Sequence, residues 1–199
     1  LGTLESVEDC GHSYTHMRFG KSEIVTSKSA KGSAAVVSHN RLATIVRVRF
    51  TMRIPASLDA SGKRRSKRKV SQKVEILHEI AHSRPGARMT VRFENAARDH
   101  ELFMMFPTGI ETDSFGFDSK FDFDRYAIGE TFARIDSVAM AGDETAAIAA
   151  VTDCPTLVLS RHDSGRRAEI GISLVRAVGW VNEIRIPQWA ALEAQIGRA

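Results

Sequence analysis

Hydrophobic and polar residues alternate with a period of two through much of the chain. Across residues 42–54 the even positions read Leu42, Thr44, Val46, Val48, Phe50, Met52 and Ile54, whereas the odd positions include Arg47, Arg49 and Arg53. A β-strand sends successive side chains to opposite faces, so this pattern predicts one long strand with a dry face and an arginine-bearing face. Val70, Val74, Ile76 and Ile80 alternate with Ser71, Lys73, Glu75 and Glu79, which predicts a second strand. Met89, Val91 and Phe93 predict a third. Leu102, Met104 and Phe106 continue the rhythm, and Pro107-Thr108-Gly109 is expected to stop it. Residues 156–160 and 169–180 predict two more strands, with a turn at Asp163-Ser164-Gly165 between them. Helical signals are sparse. Residues 188–196 suggest a helical turn, and residues 144–150 are alanine-rich without an apolar stripe. Long strands, Gly/Asp/Pro turns and no βαβ rhythm predict an all-β fold: a large, mostly antiparallel β-sandwich with little helix. No internal repeat or domain boundary is visible, so residues 1–199 are expected to form a single β-sandwich domain.

Composition narrows the functional classes. The chain carries a net charge of +4, but Lys63-Arg64-Arg65-Ser66-Lys67-Arg68-Lys69 holds six positive side chains and no acid. Without this run the remainder is net acidic. A nucleic-acid surface spreads its basic residues over a face with aromatics interleaved, so residues 63–69 read as a solvated inter-strand loop and no nucleic-acid partner is expected. No run reaches the roughly 20 apolar residues that cross a bilayer, and no membrane partner is expected. The two cysteines, Cys10 and Cys154, fit no metal or redox spacing and read as unpaired thiols. The first residue is Leu rather than Met, so the chain is expected to be a fragment of a longer protein.

One stretch spells a catalytic motif. His78-Glu79-Ile80-Ala81-His82 matches the zinc-peptidase pattern, in which two histidines one helical turn apart hold the metal and the glutamate acts as base. On a strand the two histidines would lie roughly 13 Å apart, too far to share one ion. The period-two run before the motif and Pro85-Gly86 after it predict strand–turn–strand, so no metal is expected in this chain. A second cluster, Asp113, Asp118, Asp122 and Asp124, is interleaved with Phe115, Phe117, Phe121 and Phe123. It reads as a solvated face or loop, because its spacing is not that of an EF-hand.

Four segments in order resemble the C-terminal region of glycoside hydrolase family 38, the α-mannosidase family, in its bacterial branch. Residues 8–14, Glu-Asp-Cys-Gly-His-Ser-Tyr, are similar to the family's Asp-x-Gly-Asp-Ser-Tyr element, with His12 at the family's second Asp. Residues 95–110 are similar to its Asn-x-x-Lys/Arg-Asp-His-x-Leu segment running on to Phe-Pro, with Glu101 and Phe103 replacing basic residues. Residues 173–180 are similar to Thr-Leu-Leu-Arg-Ala-Val-Gly-Trp, and Ala194-Gln195-x-Gly197 to Ala-Gln-x-x-Gly. The resemblance implies a galactose-mutarotase-like β-supersandwich that packs on an N-terminal catalytic barrel and helical domain of the same polypeptide, in a cytoplasmic bacterial enzyme acting on mannose-containing carbohydrate. It places the nucleophile, acid and zinc in the barrel, and none of the seven histidines here has the Asp two positions later that the family's zinc pair needs. The chain alone is therefore expected to be inactive, with no catalytic residue and no metal of its own. The resemblance assigns sugar contact to Tyr14 and His12; Asn95, Asp99 and His100 are expected to form a polar set stabilising a turn. The alternatives are a stand-alone carbohydrate-binding or interaction module of the same fold and, further off, the zinc peptidase.

Overall fold

The structure is a computed structural model that describes residues 2–18, 23–120, 122–129 and 131–180. The expected helical turn at 188–196 and the Ala194-Gln195-x-Gly197 segment lie outside the described residues. In chain order the strands are β1 (Thr3–Glu8), β2 (Val25–Thr26), β3 (Gly32–His39), β4 (Ala43–Pro55), β5 (Lys69–Ala81), β6 (Ala87–Phe93), β7 (His100–Glu111) and β8 (Ser114–Asp118). They continue with β9 (Phe123–Ala127), β10 (Thr131–Ile135), β11 (Val138–Gly142), β12 (Ala147–Val151), β13 (Thr156–His162) and β14 (Arg167–Ala177). The helix among the described residues is a single 3-10 turn, Ser27–Ser29. The fold is all-β, as the periodicity predicts.

The chain divides into two compact units, one from residues up to Ser6 with Glu101–Arg176, the other from Val7–His100 with the residues from Ala177 onward. In the first unit the strand order β10-β13-β14-β7-β1 forms one sheet and β12-β11-β8-β9 a second. Phe115 and Phe117 of β8, Ala139 and Ala141 of β11, Val158 of β13, and Ala168, Ile170 and Ile172 of β14 meet in one core, so the two sheets form a sandwich. Buried across this unit, Arg161 of β13 donates to both oxygens of Glu5 at 2.8 and 2.9 Å and to Glu169 of β14 at 2.9 Å. Those carboxylates hold the guanidinium firmly protonated, above the usual arginine range.

The second unit is built on the antiparallel sheet β3-β4-β5-β6. Its register places Arg49 beside Glu75 and Glu75 beside Arg92, so the predicted arginine face carries a cross-strand charge row. Arg49 Nε lies 2.6 Å from Glu75 Oε2, and Arg92 Nη1 lies 3.3 Å from Glu75 Oε1. On the opposite face Met52, Ile54, Val74 and Ile76 are buried.

Three expectations need correction. Pro107 does not stop its strand: β7 runs on to Glu111. A proline cannot donate to the ladder, but the next hydroxyl, Thr108 Oγ1, donates to Ala168 O of neighbouring β14 at 2.7 Å and accepts from Ile110 N at 3.1 Å. Gly109, at φ 73, absorbs the local kink, and pairing resumes. Residues 144–150 split into a turn and strand β12, because Asp143 Oδ1 accepts from Thr145 N and Ala146 N and reverses the chain. The last long strand ends at Ala177, short of Trp180.

Candidate functional site

Residues 9–17 form a loop organised by one buried carboxylate. Asp9 Oδ1 accepts from Gly11 N at 2.9 Å and from Met17 N at 3.2 Å, drawing the two ends of the loop together. Cys10 closes the same neck: its N–H and its thiol both donate to Met17 O, at 2.9 and 3.1 Å. Beyond the neck, His12 N donates to Thr15 O at 3.0 Å and Thr15 N returns to His12 O at 3.1 Å, leaving Ser13 and Tyr14 at the tip of a tight turn. Gly11 is required by this geometry, since a Cβ there would sit 1.9 Å from Thr15 O. The tip is tied down by Ser13, whose N–H and hydroxyl both donate to Trp180 O, at 3.0 and 3.1 Å.

The result is a rigid loop that presents Tyr14, which is 82% exposed. Tyr14 N donates to His12 Nδ1 at 3.3 Å, which fixes the imidazole beside the tyrosine. The two rings meet edge to face with centroids 6.2 Å apart. An exposed phenol offers a stacking face and a hydroxyl, and the imidazole stands beside it.

The polar set predicted at residues 95–100 lies against the base of the same loop, through Asp9 N donating to Asp99 O at 3.0 Å. Asn95 Nδ2 donates to Ala97 O at 2.9 Å, and His100 Nε2 lies 2.9 Å from Asn95 Oδ1. Asp99 adopts φ 51, a left-handed conformation that aspartate tolerates. Gln72 Oε1 of β5 accepts from Ala96 N at 3.0 Å and anchors the turn to the sheet. His100 is fully buried, and burial pushes its pKa down to about 4. The positive charge of Arg65 pushes in the same direction, and the Asp9 carboxylate opposes it. Arg65 comes from the basic run, which lies in the β4–β5 loop as expected but is not wholly solvated. Its guanidinium donates to Glu23 O at 3.0 Å, and burial lowers its pKa to about 10, leaving it cationic at neutral pH.

The zinc-peptidase letters fall on β5 and the turn after it, so the helical histidine pair does not form. His78 points into the sheet's packed face; its Nδ1 has no hydrogen-bond partner among the described residues, and burial lowers its pKa. His82 instead turns to Thr44 Oγ1 at 2.9 Å, which also lies 2.8 Å from His39 Nδ1. The aspartates of the second cluster take separate local partners. Asp118 accepts from Asp136, Ser137 and Val138 N–H groups and from the Ser137 hydroxyl; Asp122 accepts from Phe123 N; Asp113 lies 3.6 Å from Arg166. Phe115 and Phe117 point into the core while Phe123 stays exposed, and Phe121 lies outside the described residues.

The structure thus joins residues 9–17, 95–100 and 180, which no local pattern links. Asp9, Gly11, the Trp180 carbonyl and Arg65 were not singled out as site residues by sequence.

No family model matches the sequence, and a search of curated proteins returned no match. Among solved structures, a protein in glycosyl hydrolase family 38 from Enterococcus faecalis matches with a TM-score of 0.75 at 15% identity. An α-mannosidase from Enterococcus faecalis V583 matches with a TM-score of 0.75 at 14% identity. Each match covers 92% of this chain and 23% of the other, so the chain spans less than a quarter of the length of the proteins it resembles. At this identity the likeness is one of fold: nearly the whole chain adopts the β-architecture of one segment of these family 38 glycosyl hydrolases.

Proposed function

We propose that this chain is an accessory domain of a retaining α-mannosidase-type glycoside hydrolase, with the loop of residues 9–17 contributing to the wall of the carbohydrate site. The observation that carries this reading is the fold match over 92% of the chain to 23% of an α-mannosidase. On this reading the chain packs on a catalytic barrel and helical domain of the same cytoplasmic polypeptide. Zinc and the reacting carboxylates belong to that barrel. The chain's own Glu5 and Glu169 are unsuited to the chemistry, because Arg161 occupies the space between them. Tyr14 stacks on or hydrogen-bonds to a mannose-containing substrate, with His12 beside it at the same sugar. The hydrogen bonds that close the neck and tip of the loop fix its backbone before the sugar arrives, which limits the entropy lost on binding.

The exposure of Tyr14 also favours a second reading, a carbohydrate-binding module of the same fold that works without a barrel. Expression of the whole polypeptide that encodes this chain separates the two. The first reading expects turnover of an aryl α-mannoside by that polypeptide, none by residues 1–199 alone, and a raised KM in Tyr14→Ala. Absence of turnover in the whole polypeptide, or unchanged kinetics in Tyr14→Ala, would refute it. Mannoside affinity of the isolated chain that depends on Tyr14, with no turnover in either form, would support the second.

A further inference from the structure

A cleft of about 450 Å³ opens on the β8-β9-β11-β12 sheet of the first unit. Register aligns Gly116 of β8 with Arg125 of β9 on one side and Met140 of β11 on the other, so the three share one face. Gly116 leaves a gap on that face, and the ring of Phe123 fills it. A Cβ on Gly116 would lie 2.4 Å from Phe123 Cε1 and 2.6 Å from Cζ. The ring is therefore seated over the glycine, yet 42% of Phe123 stays exposed to the cleft and solvent. Around it stand Ser114, Arg125, Asp143 and Glu144. Asp143 is held in place by the turn it caps, through Thr145 N at 2.7 Å and Ala146 N at 2.9 Å.

We infer that this cleft binds a neutral sugar ring, with one C–H face against Phe123 and the hydroxyls directed at Ser114, Arg125, Asp143 and Glu144. An aromatic platform takes the apolar face of a pyranose, and each sugar hydroxyl both donates and accepts. A rim holding a guanidinium and two carboxylates serves both roles. A ligand of one net sign meets opposing charges there. A nucleobase would stack on Phe123, but the phosphate of a nucleotide would face two carboxylates. The volume lies at the lower end of the range for small-molecule sites, of order 300–1,000 Å³, and suits one or two rings rather than a long chain. This site lies in a different unit from the Tyr14 loop and stands whether or not that loop contacts substrate.

Saturation-transfer NMR on the full chain tests it, using methyl α-D-mannopyranoside and methyl β-D-glucopyranoside as probes and adenosine as the competing class. At least one glycoside should receive saturation and shift the amides of Gly116 and Arg125. Phe123→Ala should weaken that response roughly ten-fold or more, Phe123→Tyr should retain it, and Gly116→Ala should act like Phe123→Ala by unseating the ring. Thermal unfolding of each variant separates loss of the site from loss of the fold, and Phe123→Ala removes an exposed side chain. Tyr14→Ala should leave the response at Gly116 intact. The inference is overturned by response to adenosine alone, by no glycoside response in the wild-type chain, or by binding indifferent to Phe123→Ala. Binding that vanishes only in Tyr14→Ala would overturn it while leaving the mannosidase reading standing.

Discussion

His100 should make the stability of this protein fall between neutral and mildly acidic pH. Its side chain is fully buried, and its pKa is held at about 4 against an ordinary 6.5. Above pH 6.5 both folded and unfolded chains carry a neutral imidazole, and the group contributes no pH dependence. As pH drops below 6.5 the unfolded chain binds a proton that the folded chain refuses, so stability declines until the folded pKa near 4 is reached. At about 1.4 kcal/mol per pH unit, the whole interval costs about 3 kcal/mol. That is a large share of the roughly 5–15 kcal/mol that holds a typical domain together. The assay is urea unfolding from pH 7.5 to 4, comparing the wild-type chain with His100→Gln. Glutamine keeps an N–H for Asn95 Oδ1 but does not titrate, and groups common to both chains, His78 among them, cancel in the difference. The wild type should lose about 3 kcal/mol relative to the variant over that range. Ring-proton NMR reads the cause directly: the His100 resonance should titrate near pH 4 and move upward in Arg65→Met, which removes the adjacent cation. Parallel stability curves, or a His100 resonance titrating near 6.5, would refute the reasoning.

Other consequences follow from particular contacts. Gly11→Ala forces a methyl against Thr15 O and should cost about 1–3 kcal/mol, with faster amide exchange at Gly11 and Met17 marking the opened loop. Asp118→Ala strips the acceptor from the Asp136, Ser137 and Val138 amides and should lower stability by about 1–2 kcal/mol in thermal unfolding. Because those same hydrogen bonds outweigh burial and lower the Asp118 pKa, its contribution is present above its unfolded pKa and lost as pH falls through the folded one. Arg161→Met leaves the buried Glu5 uncompensated and should cost about 3–5 kcal/mol, of which the double variant with Glu5→Gln recovers a part, as measured by urea unfolding.

The long strands were legible because they bury one face. In β4 and β5 every second residue is Val, Ile, Phe or Met over most of the length, and the observed spans, Ala43–Pro55 and Lys69–Ala81, differ from the pattern by a residue or so. β12, Ala-Ile-Ala-Ala-Val, was not legible, because alanine at successive positions carries no period. β3 hides its alternation in the same way behind Ala34-Ala35-Val36-Val37, and it is exposed along almost its whole length. The five-residue strands β8 to β11 are too short to establish a rhythm against their turns. Pro107 misled for a different reason. Its backbone deficit is met by a hydroxyl one residue on, bonded to a strand some 60 residues away in sequence, and no local pattern encodes that partner.

The site shows the same division between local and distant information. Gly11 and the tight turn at residues 12–15 are local, and a reader of the sequence can expect a turn there. What makes the turn a presenting surface is not local: Trp180 O fixes its tip, and Asp99 O receives the N–H at its base. The sequence resemblance rests on these same segments, while the matched structures share the fold at 15% identity. A carbonyl partner constrains the backbone path and the donor, Ser13 or Asp9 N–H, but not the side chain that carries the carbonyl. Tyr14, which is 82% exposed, and His12, whose Nδ1 accepts from Tyr14 N, stand on a turn whose path these carbonyls set. Whether His12 supports that turn can be tested directly. His12→Asp replaces the imidazole but keeps an acceptor for Tyr14 N, so the turn should hold in thermal unfolding. A collapse of stability in His12→Asp would show that the imidazole supports the loop instead of decorating it.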